Sequence, residues 1–185
     1  MFDPESHIPS DLIRSAQASL DQMPSAPVSP DLVHKHQEQN VAISRVAAWP
    51  NRPHTFVCQL RVLVDHPFFF EHPTDHVPGL LLIEGARQFG VAVAHLHYSV
   101  PNSTIFVLET VQTHFTRFAE LDSPTAILGV VHDRRTGGGR LRGMSFSGSF
   151  VQSGVAVGTM TGIWKMIDED LMRRLRARAS RGGVN

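Results

Sequence analysis

Glu84, Arg87 and Gln88 stand three and four residues apart in GLLLIEGARQFG, a stretch that is otherwise almost wholly apolar. On a helix that spacing puts all three on one face. A carboxylate in such surroundings must be paired, hydrogen-bonded or protonated, because an unpaired buried charge is too costly. The three are therefore either one satisfied polar network or the working parts of a site. Just upstream, His72, Asp75 and His76 share a loop that follows the aromatic run Phe68, Phe69 and Phe70. A histidine titrates near working pH, and with a carboxylate partner it does general acid–base chemistry. In an extended loop Asp75 points away from its neighbour His76, so their adjacency alone does not imply an Asp–His pair. His66, His72 and His76 match no zinc-ligand spacing. No metal is expected, and no cofactor is implied.

These residues need a scaffold. Pro78 and Gly79 open an apolar segment that runs to a break at Pro101 and Asn102. It is too long for an ordinary strand, and its interior has no proline, so it reads as a buried helix over 78–98 with Pro78 near its first position. Before it, strands are expected around Val41, Ile43 and Val46 and over 54–64, where Phe56, Cys58, Leu60 and Val62 alternate. After it come four strand-like runs, 104–121, 125–134, 140–152 and 155–167. Gly137 to Gly139 is a hairpin turn, since no strand-to-helix junction with lysine follows it. Ser153–Gly154 is a second turn. The expected order is two strands, one long apolar helix, then four strands as an antiparallel meander. That is α+β with segregated elements: one curved antiparallel β-sheet wrapped around one long apolar helix, the single hotdog fold. The expected domains are an N-terminal arm or short helix with a Pro/Ser linker (1–30), the hotdog domain (31–167), and a basic C-terminal helix and tail (168–185). The Phe68–Phe70 run is expected in the core.

The chain has 185 residues, enough for one domain with a full core. Lys plus Arg and Asp plus Glu each number 17, so charge gives no case for nucleic acid or an anionic membrane. A single cysteine, Cys58, excludes an internal disulfide. The start, MFDPESHIPSDL, has no basic region leading into an apolar run, and the expected location is cytoplasmic. The helix carries Glu84, Arg87, Gln88 and two histidines, so it is not expected to span a membrane.

The stretch from Pro67 to Gly90 resembles the A-factor biosynthesis hotdog family. The pattern is His72-Pro73, then Asp75-His76-Val77-Pro78-Gly79, then Glu84-Gly85-Ala86-Arg87-Gln88. Weaker echoes are Leu32-Val33-His34-Lys35 and the stretch from Phe115 to Leu121. More distantly the motif is similar to the 3-hydroxyacyl-carrier-protein dehydratases, on whose pattern His72 matches the catalytic histidine and Glu84 the catalytic carboxylate. The resemblance implies an enzyme that takes a β-ketoacyl group from an acyl carrier protein or CoA thioester. It passes the group to a hydroxyl of a phosphorylated, glycerol-derived acceptor such as dihydroxyacetone phosphate, on the way to a butenolide. His72 is then the general base, with His76 its rival, and Glu84 orients it or acts as its acid partner. The N–H of Gly79 polarises the thioester carbonyl, and Arg87, Gln88, Phe69 and Phe70 bind substrate. Members of the family carry two such repeats, and this chain has room for one, so a homodimer is expected to complete the site across its interface. The alternatives are a 3-hydroxyacyl-thioester dehydratase using the same His72 and Glu84, and a non-catalytic acyl-binding module.

Overall fold

The computed structural model describes residues 8–20 and 26–181. Parts of the expected N-terminal arm and C-terminal tail, and the side chains of Arg178 and Arg181, lie outside the described residues. In order, the elements are α1 (Ser10–Leu20), two short 3-10 turns (Pro30–Val33 and Glu38–Asn40), β1 (Ile43–Ala48), β2 (Thr55–Leu60), α2 (Gly79–Tyr98), β3 (Thr104–Phe115), β4 (Thr125–Gly137), β5 (Arg140–Gln152), β6 (Val155–Asp168) and α3 (Glu169–Arg181). The long apolar helix and the hotdog arrangement of one helix against one antiparallel sheet are as expected.

Pro78 caps the start of α2, and Ser99, in the left-handed conformation at φ 53°, closes its end. The helix packs on one face of the sheet, where Phe89, Phe146 and Trp164 form a fully buried aromatic stack. On the opposite face Ile8, Leu12 and Ala16 cover Val57, Ala126, Leu128 and Val151. Both faces are therefore buried over β2, the first half of β4 and most of β5, whereas the end of β4 from Asp133 is exposed.

The strand order is β1-β2-β4-β5-β6-β3. The four-strand meander is corrected here. Strands β4, β5 and β6 do follow one another through tight turns, at Gly138–Gly139 and Ser153–Gly154. All four turn residues have positive φ, as two-residue hairpin turns require. Strand β3, however, pairs with β6 and not with β4. The far side of β4 is taken by β2, with Val57 opposite Leu128, so the free side of β6 is what remains. Strand β3 also stops at Phe115, short of the expected 121. Residues 116–119 leave the sheet, and the buried Gln152 ties down the loop that follows. Gln152 donates to the carbonyls of Glu120 (2.8 Å) and Ser123 (2.7 Å) and accepts from the Glu120 N–H (2.8 Å).

The two sheet edges differ. Strand β1 is partly covered by the arm, through the bridge Pro27–Ser44 and the Val28 N–H on the Ile43 carbonyl. Strand β3 has no outer neighbour among the described residues, and it exposes Leu108, Val111 and Phe115. No helix among the described residues is long and apolar enough to cross a membrane.

Candidate functional site

One face of the first turns of α2 is open. Leu80 is exposed and Ile83, Glu84 and Arg87 are half-buried, whereas the helix from Gln88 to Ala94 is buried. Glu84 is the centre of this open face. Arg87 donates to it twice, from Nε to Oε2 at 2.7 Å and from Nη2 to Oε1 at 2.8 Å. Lys35 Nζ lies 2.8 Å from the same Oε1, and Gln88 Nε2 donates to it at 2.8 Å. Burial by itself raises the Glu84 pKa. The hydrogen bond and charge of Arg87, with the bonds from Lys35 and Gln88, outweigh that and bring it down to about 2. A carboxyl held that low is ionised at neutral pH and has no proton to give, which leaves it an orienting role.

Gln88 is fully buried. It donates to the Asn40 carbonyl at 2.8 Å and accepts from the Ala42 N–H at 2.9 Å, besides its bond to Glu84. Its amide is spent inside the chain, so the expectation that it binds substrate gives way to a strut between α2 and the residues before β1. Asn40 in turn accepts at Oδ1 from His66 Nε2 (3.0 Å), and His66 Nδ1 accepts the Phe68 N–H at 3.2 Å. This chain of bonds fixes one wall of a cavity of about 420 Å³, lined by Lys35, His66, Phe68, Phe69, Ile83 and Glu84 among others. Phe69 and Phe70 are half-buried against the core, but Phe68 is 68% exposed, so it is a rim residue and not core as expected.

A second cavity, of about 380 Å³, lies at the N-terminus of α2 and is lined by His76, Gly79, Leu82, Phe115, Arg117 and Phe118 among others. Its floor is pinned by the Val77 N–H on the Ala119 carbonyl at 2.7 Å and by the bridge His76–Glu120. His76 Nδ1 lies 2.8 Å from Asp75 Oδ1 and 3.2 Å from Thr74 Oγ1, and its ring packs on Phe118 at 4.7 Å. The adjacent Asp75 and His76 therefore do form a pair, which their adjacency alone did not imply. The hydrogen bond from His76 lowers the Asp75 pKa.

The structure brings Glu84, Arg87, Gln88 and Phe69 together, and brings His76 to Gly79. It does not bring His72 to Glu84 within one chain. His72 is exposed and, among the described residues, makes no hydrogen bond or ion pair. Sequence reasoning missed Lys35 and Asn40 as parts of the Glu84 cluster. It weighed His66 only as a metal ligand, and among the described residues no group of three or more His, Cys, Asp or Glu side chains could hold a metal ion.

Comparison with known proteins places this arrangement. Two curated relatives carry the name 2-oxo-3-(phosphooxy)propyl 3-oxoalkanoate synthase. The one from Streptomyces virginiae is 46% identical over 66 residues, 36% of this chain and 20% of the relative. The one from Streptomyces griseus is 43% identical over 75 residues, 40% of this chain and 23% of the relative. The aligned part of the chain thus spans about a fifth of the length of these relatives. Among solved structures, the dehydratase heterocomplex ApeI:P from Xenorhabdus doucetiae matches with a TM-score of 0.61 and 19% identity, over 81% of this chain and 97% of that one. A mutant form of a thioesterase from Pseudomonas aeruginosa matches at 0.51 and 12%, over 88% and 96%. At such identities these structures speak for the fold alone. The model of the A-factor biosynthesis hotdog domain matches residues 16–168, from α1 to the end of β6, and the chain belongs to that family.

Proposed function

We propose that the chain transfers a β-ketoacyl group from a thioester, on a carrier protein or CoA, to a hydroxyl of dihydroxyacetone phosphate or a close relative, with butenolide closure afterwards. The name shared by the Streptomyces relatives describes such an ester, a 3-oxoalkanoate joined to a phosphooxy-oxopropyl group. The observation that carries the reading is Glu84, ionised and clamped by two cations beside a cavity. Dehydration of a neutral hydroxyacyl chain gives the cation in excess nothing to neutralise, and a carboxyl that Arg87, Lys35 and Gln88 hold in its ionised form is poorly suited to protonate the departing hydroxyl.

The chemistry runs as follows on this reading. Two copies pair along the free edge of β3, since a long open edge invites pairing, and His72 of one copy reaches Glu84 of the other. His72 takes the proton of the acceptor hydroxyl, and that oxygen attacks the thioester carbonyl. The Gly79 N–H is the first of α2, with no carbonyl partner inside the helix. It donates to the oxyanion that forms. The carbon–sulfur bond then breaks, and the thiolate takes the proton back from His72. The ionised Glu84, whose Oε2 accepts only from Arg87 among the described residues, orients the imidazole. Leu82, Phe115 and Phe118 receive the acyl chain, and Phe69, backed by Phe70, walls the acceptor side. His76, already engaged by Asp75 and Thr74, is a fixed part of the wall.

Mixed dimers test this. Copies carrying His72→Ala and copies carrying Glu84→Gln are co-expressed with different tags. Each homodimer should lose about 10²–10⁴-fold in activity. A site built from both copies leaves one of the two intact in the mixed dimer, which should regain about half of the wild-type rate. No recovery in the mixed dimer contradicts a shared site, and full activity of His72→Ala alone moves the base to His76.

A further inference from the structure

We infer that Lys35 and Arg87, held on either side of Glu84, form the subsite that takes the phosphate of the acceptor, with Lys35 the residue that selects it. This rests on the transfer reading above and adds the residue that reads the acceptor. One structural ion pair needs one cation. Here two converge on a single carboxylate, Lys35 at 2.8 Å and Arg87 at 2.7 Å, and the cluster keeps one positive charge in excess. Their side chains are 27% and 29% exposed, so an unbalanced charge sits in partly desolvated surroundings. Such a charge is costly until an anion meets it. Both groups have donors to spare. An ammonium has three N–H and one faces Glu84; a guanidinium has five and two are spent.

The backbone is bent to deliver Lys35. His34 is not glycine, yet it lies in the left-handed region at φ 57°, where it ends the 3-10 turn Pro30–Val33. The Lys35 N–H bonds the Pro30 carbonyl at 2.9 Å. As a result two consecutive side chains land on α2. His34 Nε2 meets His95 Nε2 at 3.0 Å, and Lys35 meets Glu84. His95 Nδ1 donates to the Val100 carbonyl at 2.7 Å, so in a neutral pair His95 Nε2 accepts and His34 Nε2 donates. Burial, then His95 and Arg87, keep the His34 pKa low. Strain of this kind persists where the surroundings over-determine it, and it gathers at functional sites. The cavity that Lys35 and Glu84 line, about 420 Å³, exceeds a lone phosphate and also has apolar walls in Phe68, Phe69, Leu80 and Ile83.

The test compares Lys35→Met, Lys35→Arg and the wild type with dihydroxyacetone phosphate and with dihydroxyacetone, which lacks the phosphate. Lys35→Met should raise the KM for dihydroxyacetone phosphate roughly ten- to a hundredfold, as loss of a charged hydrogen bond does. With dihydroxyacetone the loss should be much smaller, since only the support that Lys35 gives Glu84 is then missed, and Lys35→Arg should restore most of the loss with the phosphorylated acceptor. Equal losses with both acceptors overturn the inference and make Lys35 a brace for Glu84. Thermal melts check folding, and Lys35→Gln replaces Lys35→Met if the latter does not fold. Calorimetry with dihydroxyacetone phosphate alone separates the two readings. A wild-type chain that binds it through Lys35 yet transfers no acyl group keeps the subsite and removes the transfer reading. A wild-type chain that does not bind it removes the subsite.

Discussion

Gln88 Nε2 and Glu84 Oε1 meet at 2.8 Å, one turn apart on α2, and through Gln88 the carboxylate is tied to the carbonyl of Asn40 and the N–H of Ala42. The residue beside the site is thus a structural strut. Gln88→Leu keeps the bulk but leaves the buried Ala42 N–H and one bond of Glu84 unmet. It should cost about 2–4 kcal/mol, because unsatisfied buried groups are expensive. The unfolding free energy from urea titration should fall by that amount, while the KM values of the folded enzyme stay close to wild type. A variant of wild-type stability with a raised KM would return Gln88 to a substrate-binding role.

Glu84 also sets an acid limit on stability. Its pKa falls from an ordinary 4.5 to about 2 on folding. A group with a depressed folded pKa stabilises fully above its unfolded value, and that stability fades as pH drops towards the folded one. The shift corresponds to about 3 kcal/mol, lost between roughly pH 5 and pH 2. Denaturant midpoints measured across that window should decline in the wild type. Glu84→Gln should be less stable at neutral pH and show a flatter decline. Parallel acid limbs would mean that Glu84 is not held ionised.

Close packing between helix and sheet turns on Gly129. A Cβ there would run into the Phe146 ring and lie 2.8 Å from Phe89, two fully buried rings stacked edge to face at 5.5 Å. Gly129→Ala should destabilise by about 1–3 kcal/mol through overpacking. Thermal unfolding measures this, and an unchanged midpoint would show that the stack yields freely.

The hairpins were legible because their determinants are local. Gly138–Gly139 and Ser153–Gly154 carry the turn conformation themselves, and β5 begins and ends where alternation and turns place it. The long helix was legible from Pro78 to its end because no proline interrupts it and, of its buried residues, only Gln88 is polar. The place of β3 was not, because which strand edge it joins depends on β2 occupying β4, a contact far away in sequence. Glu84, Arg87 and Gln88 announced themselves as polar groups on an apolar helix. Lys35 and Asn40 did not. They sit in an irregular loop with no periodicity, and their approach to α2 rests on the positive φ of His34 and on the second 3-10 turn. The Asp75–His76 pair was not legible because it depends on the bend of the loop, with Thr74 Oγ1 bonded to both the ring and the carbonyl of His76.

The free edge of β3 should carry the dimer. Val111 lies in mid-strand and is exposed in the single chain. Val111→Lys puts charge on that edge, the usual guard against edge pairing. Light scattering at micromolar concentration should show a dimer for the wild type and a monomer for the variant, with activity lost alongside. A monomeric wild type that is fully active would remove the shared site.

The central claim is acyl transfer, and its direct measurement is mass spectrometry of the purified chain with two substrate sets. One set is a β-ketoacyl thioester with dihydroxyacetone phosphate; the other is a 3-hydroxyacyl thioester alone. The first set should yield free thiol and the phosphorylated β-ketoacyl ester or its butenolide. The second should stay unchanged, and Arg87→Lys should weaken use of the phosphorylated acceptor while sparing the donor. Loss of water from the hydroxyacyl thioester with no acceptor present, and no ester from the first set, would contradict that claim.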